Sequence, residues 1–151
     1  MSKVSVKGVV VGGIVDVVAS LVLDMPFGFY AALHVDLSNV PKARMESTIN
    51  AATQANIPLY VTELLIGLAC SVLGGYVAAR LAKQDELLNG ALSSFLCVVL
   101  GIFTMAAGMD SHALWEQILL LLASPILALF GGYLMQRQRL GRVAPGESSA
   151  N

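Results

Sequence analysis

The sequence predicts an all-α fold: a four-helix transmembrane bundle with a short interfacial helix in the first outer loop. Three observations predict it. Charged residues make up 13% of the 151 positions, about half the usual share, and the mean hydropathy is +0.74. Four stretches of roughly 20 apolar residues recur, the length that crosses about 30 Å of hydrocarbon at about 1.5 Å per residue. The basic residues fall almost wholly on one side of those stretches. So apolar a chain of this size cannot cover itself with polar surface in water, and it is too apolar for intrinsic disorder. A net charge of -1 and a pI near 6.0 supply no basic field for nucleic acid. The expected surroundings are a lipid bilayer.

The elements follow in order. Residues 4–25 form the first expected span, with Lys7 near its start and Asp16 near its middle. Residues 26–58 form the outer loop. Its early part, Pro26 to Tyr30, reads as an aromatic turn at the headgroups. Asn39-Val-Pro41 then signals a helix start, and a helix to about Asn56 would put Met45, Ile49 and Ala52 on one face. Residues 59–79, 87–108 and 113–135 are the remaining spans. The third carries no charge, and the fourth holds Glu116 and Gln117 in its first turns. In lipid each must be helical, because unpaired backbone groups there cost several kcal/mol apiece.

Short turns at residues 82–86 and 109–111 make spans two, three and four antiparallel neighbours, with Asp110 or Ser111 capping the fourth. The membrane domain thus covers residues 1–136, and a basic tail, residues 137–151, is expected to be disordered.

Orientation follows from charge. Lys3, Lys7, Arg80, Lys83, Arg137, Arg139 and Arg142 lie on one side, seven of the nine basic residues, against Lys42 and Arg44 on the other. The positive-inside rule places both termini in the cytoplasm of a plasma (bacterial inner) membrane. The first stretch is expected to remain uncleaved, since it is long, carries Asp16 and lacks a small-x-small cleavage site.

The second and fourth spans end alike, with Gly74-Gly-Tyr76 leading to Arg80 and Gly131-Gly-Tyr133 leading to Arg137. The first and third begin comparably, at Gly8 and Gly12 against Gly90 and Ser94. This pattern predicts a parallel duplication of one helical hairpin, with about 25 extra residues in the first copy. Small residues also recur every fourth position, as Gly67, Ser71, Gly75 and Ala79 in one row and Ser124, Ala128 and Gly132 in another. Small residues let helix backbones approach, which is what holds helices together in lipid. The rows serve either packing inside one bundle or contact with a second copy or a partner.

Asp16 carries the most chemical information. An ionised carboxylate at mid-membrane costs at least about 2.5–3.5 kcal/mol, so it must face the bundle or water, or hold a proton. It shares a stripe with Gly12 and Ser20, and no Lys or Arg lies at its depth. A neutral acid bonded to Ser71, Ser93, Ser94 or Thr104 is one solution; a proton- or cation-linked transport site is the other. Glu63 and Glu116 read as acids favoured by the positive ends of their helices. His34, Asp36, His112 and Glu116 have no diagnostic ligand spacing, so no metal site is expected. Cys70 and Cys97 fall mid-span as buried thiols. No nucleophile motif, phosphate-binding loop or nucleotide fingerprint is present, so no catalytic residue and no cofactor is expected.

The stretch from Gly74 to Ala82, with Glu86-Leu-Leu-Asn-Gly-Ala91 after it, resembles a pattern in small bacterial four-span membrane proteins of unknown function. A carboxylate in the first of four spans also resembles the small multidrug-resistance transporters. This chain departs from them in its long outer loop, its strong charge bias and the lack of an aromatic-rich transport face. Two functions are expected from these readings. The first is a non-enzymatic protein acting through helix contacts, as a homo-oligomer or small subunit. The second is a small proton- or cation-coupled transporter or channel using Asp16.

Overall fold

A computed structural model of the chain describes residues 4–82, 85–106 and 114–143. These residues are 91% helical, with no strand among them. The helices are α1 (Val6–His34), α2 (Lys42–Ala55), α3 (Ile57–Ala82), α4 (Glu86–Ser93), α5 (Phe95–Ala106) and α6 (Leu114–Val143). α4 and α5 together make one span, giving four in the described residues that are long and apolar enough to cross a membrane.

The distribution of side chains explains why lipid is needed. In the most apolar window of each span no more than 22% of the residues are buried within the chain. On α1, Val10, Ile14, Val18, Leu21 and Met25 form one exposed stripe, and Leu119, Leu122, Ile126 and Leu129 do the same on α6. Exposed apolar area on that scale is not tolerated in water. The chain is a multi-pass membrane protein.

The interior is correspondingly small and polar. Ala78, Ala79 and Ala128 are fully buried, and the largest wholly buried side chains are Asn89, Ser93 and Ser94. α3 is the central helix, packed on both α1 and α6, with α4 wedged against α3 and α6. Each Gly-Gly pair serves two neighbours at once. A Cβ at Gly74 would meet the Gly12 carbonyl of α1, whereas one at Gly75 would run into the Ala128 backbone of α6. Likewise Gly131 abuts Val72 and Tyr76 of α3, while Gly132 abuts Glu86 of α4.

The turn into α4 is sharp. Asp85 takes a left-handed conformation, φ 48°, that aspartate tolerates better than most residues. Asn89 steadies it by donating from Nδ2 to the Asp85 carbonyl at 3.0 Å. Asn89 Oδ1 in turn accepts the Ser5 backbone N–H at 2.7 Å. The start of α1 is thereby pinned to the start of α4, with Ser5 capping α1 through Gly8 N–H. Glu86 pairs with Arg139 of α6 at the same end.

Several expectations require correction. Pro26 to Tyr30 is not a turn: α1 continues through Pro26 for two more turns. Proline removes one donor, and the rest of the backbone still pairs best as a helix. α1 ends where the His34 ring folds back on Tyr30, centroids 4.1 Å apart, and Val35 turns extended. The third span is interrupted at Ser94. There Ser93 and Ser94 donate their hydroxyls to the Gly90 and Ala91 carbonyls, at 2.7 and 2.8 Å, a back-bonding that bends helices. α6 also runs to Val143, so the fourth helix extends past residue 137, where the tail was expected to begin. Residues 144–151, the turn at 109–111 with its caps, and His112 lie outside the described residues. α2 does form, with Met45, Ile49 and Ala52 half-buried and Thr53 buried.

Candidate functional site: a polar chamber between α1 and α3

Asp16, Ser20 and Asp24 are spaced i, i+4, i+8, which stacks them on one face of α1. Tyr60, Glu63, Gly67 and Ser71 form the facing stripe of α3, and Asn50 comes from α2. Together they line a cavity of about 470 Å3, completed by Cys97 of α5 and by Leu64, Leu68, Leu120 and Ser124. Three carboxylates share this space, and no Lys or Arg is among the lining residues.

Helix rise fixes the depths. Lys7 and Asp24 on α1 are about 26 Å apart along the axis, as are Glu63 and Arg80 on α3, at about 1.5 Å per residue. Those charged levels thus span most of a hydrocarbon layer of about 30 Å, with Asp16 near its centre. Asp24 and Glu63 therefore stand at the α2 end of the chamber, with Asp16 about 12 Å deeper.

Asp16 is 2% exposed. Its Oδ1 accepts the Ser71 hydroxyl at 3.4 Å, a long contact for an O–H donor, and its Oδ2 accepts the Cys97 thiol at 3.1 Å. Ser71 also stands 3.5 Å from the Ser124 hydroxyl. A carboxylate has about four acceptor sites, so two thinly bonded oxygens leave capacity toward the cavity. Above it, Oδ1 of Asp24 is shielded and accepts no hydrogen bond among the described residues.

Beyond Asp16 the chamber ends because the helices touch. A Cβ at Gly12 would lie 2.6 Å from the Gly74 carbonyl and 2.6 Å from the Ala78 Cβ, and one at Gly8 would lie 2.8 Å from the Ala78 carbonyl. At that level there is room only for backbone on backbone. A second cavity of about 220 Å3 lies between α5 and α6 and shares Cys97, Leu120 and Ser124 with the chamber.

The residues singled out in the sequence fall into three groups. Gly8, Gly12, Gly75, Gly90 and Gly132 stand at close backbone approaches within the chain, with Gly90 against Ala128 and Gly132. Ala128 is wholly buried, and Ser94 is buried with its hydroxyl turned onto its own helix. Asp16, Ser71 and Gly67 belong to the chamber, and a Cβ at Gly67 would meet only open space.

Of the chamber acids, Asp24 is not singled out by the sequence, and Glu63 is read there as an acid favoured by its helix dipole. Asp24 continues the Asp16–Ser20 stripe by one more step of four, so its signal was present. Glu63 is the seventh residue of α3, beyond the first turn in which the helix dipole acts. Glu116 does lie in the first turn of α6. The loop groups bond locally. His34 Nδ1 lies 2.8 Å from the Tyr30 carbonyl, and Asp36 accepts both the hydroxyl and the N–H of Ser38. Those two bonds hold the Asp36 carboxyl below its ordinary pKa. Among the described residues no three His, Cys, Asp or Glu side chains converge closely enough to hold a metal ion.

Comparison with known protein families, curated proteins and solved structures finds no match to this chain.

Proposed function

We propose that this protein is a small transporter that takes a small organic cation into the chamber and exchanges it for a proton on Asp16. The observation that supports the reading is the 470 Å3 cavity holding Asp16, Asp24 and Glu63 without a cationic side chain. A carboxylate placed inside a membrane is costly and marks a pathway for cations or protons when it borders a polar space. The volume lies in the range of about 300–1,000 Å3 typical of small-molecule sites and far above the roughly 30 Å3 of one water. The carboxylates are spread along the chamber rather than gathered on one point, and Leu64, Leu68 and Leu120 form apolar wall between them. Such a wall suits a hydrocarbon body better than a hydrated metal ion.

The close packing at Gly8, Gly12 and Gly74 makes this a state closed at the end where α1 starts and α6 finishes. With the basic residues of that end in the cytoplasm, the chamber faces outward. The alternative function, helix contacts with a second copy or a partner, drew on the small-residue rows. Most of those residues already meet neighbours within the chain, which favours the transport reading.

The test is flux in vesicles reconstituted with the purified protein. An imposed pH gradient should drive saturable uptake of ethidium, used as a fluorescent organic cation. Asp16→Asn should abolish that uptake while leaving the helical circular dichroism unchanged. Absence of uptake by the native protein, or equal uptake by the variant, would overturn the proposal.

A further inference from the structure

At the end of the bundle away from the chamber, the last turns of α3 and α6 enclose a recess of about 300 Å3. It is lined by Tyr76, Arg80, Met135, Gln138 and Arg139. Arg80 stands about 26 Å along α3 from Glu63, and Arg139 about 35 Å along α6 from Glu116, so the recess lies where about 30 Å of hydrocarbon gives way to headgroups.

Its chemistry is that of a donor site. Arg139 is tied to Glu86, whose side chain is 11% exposed, and the pair is close to neutral as a unit. Arg80 is exposed and has no carboxylate in ion-pair range among the described residues. Tyr76 Oη donates to Gln138 Oε1 at 2.8 Å, which occupies the amide oxygen and leaves the NH2 group to donate. Two guanidinium groups, that of Arg139 already paired with Glu86, and an amide donor thus surround a space walled on one side by Met135. Guanidinium forks match the oxygens of phosphate, and basic pockets between spans at this depth bind anionic headgroups.

We propose that this recess binds a phosphate group, the singly charged phosphodiester of an anionic membrane lipid, with Arg80 as its principal ligand. Arg80 also lies in the last turn of α3, where a cation offsets the helix dipole. That role alone would need neither Gln138 nor the recess.

The test uses the full chain in detergent micelles, with bound lipid counted by native mass spectrometry. Phosphatidylglycerol and phosphatidylcholine are offered in turn, with and without millimolar inorganic phosphate. The expected result is one phosphatidylglycerol retained per chain in preference to phosphatidylcholine, undisturbed by inorganic phosphate. Arg80→Gln should weaken retention about tenfold, the scale of one charge-assisted hydrogen bond. Arg80→Lys should fall between, because it keeps the charge and loses the fork. Arg80→Gln leaves the Glu86–Arg139 pair and the Tyr76–Gln138 bond in place, so the fold is retained. Gln138→Leu is an independent second variant and should weaken retention as well. Equal retention of the two lipids, or full retention by Arg80→Gln, would overturn the proposal. Displacement by inorganic phosphate would overturn the lipid as the source of the phosphate.

Discussion

Gly74 exists to make room for Asp16. A Cβ at position 74 would sit 2.7 Å from the Asp16 Cβ and 2.8 Å from the Gly12 carbonyl. The missing side chain on the central helix is what lets a carboxylate lie flat between two membrane spans, within reach of Ser71 and Cys97.

Gly74→Ala is therefore expected to destabilise the protein by about 1–3 kcal/mol, the cost of forcing a methyl group into a filled contact. It should also abolish ethidium uptake by displacing Asp16. Unfolding in sodium dodecyl sulfate, followed by circular dichroism, measures the first effect and vesicle flux the second.

Gly67 and Gly75 lie eight residues apart on the same helix and should behave oppositely. Gly67 faces open chamber, so Gly67→Ala should change stability by no more than about 1 kcal/mol, in the stabilising direction that helix propensity gives. Gly75→Ala would meet the Ala128 backbone and should destabilise by more than about 1 kcal/mol. The same detergent unfolding experiment compares them, and equal effects would contradict the packing described.

Asn89 is fully buried and joins the start of α1 to the turn into α4. Asn89→Ala should cost about 1–3 kcal/mol, the penalty for leaving the Ser5 N–H without its acceptor. Faster hydrogen exchange at Ser5, with exchange in the middle of α3 unchanged, would be the local signature.

Asp36 supplies a pH dependence of known sign. Its folded pKa lies below the ordinary value because Ser38 donates twice to its Oδ1. The contribution is thus present above the unfolded pKa and is lost as pH falls through the folded one. Ser38→Ala removes the hydroxyl and should move the Asp36 pKa back up, read from its carboxyl 13C shift. An unmoved titration would show that the hydroxyl bond has no part in it.

The sequence revealed the four spans because each is a long apolar run, and lipid leaves such a run one conformation. Asp16 was legible for the same reason, as a lone charge in an apolar stretch. Asp24 and Glu63 stood out less, because each lies near a span end, where a charge needs no special explanation, and the four-residue step from Ser20 was the one signal Asp24 offered. Their role appears only when α1 and α3 are set face to face. The break at Ser94 was foreshadowed by adjacent serines, whose hydroxyls compete for carbonyls three residues back. The continuation past Pro26 was obscured because proline is an equally good signal for a loop. The small-residue rows were visible, but which neighbour each glycine meets is a tertiary fact. Gly74 and Gly75 are adjacent in sequence and serve different helices.

The most direct test of the central claim is whether the chamber holds water and draws cations. Gly67→Cys places a thiol on its wall, and Leu65→Cys places one on the exposed apolar surface nearby. With the native protein as background for Cys70 and Cys97, a cationic methanethiosulfonate reagent added at the α2 side should label Gly67→Cys rapidly. It should do so faster than its anionic counterpart and faster than it labels Leu65→Cys. Labelling of Gly67→Cys at the Leu65→Cys rate, or without preference for the cationic reagent, would contradict the account.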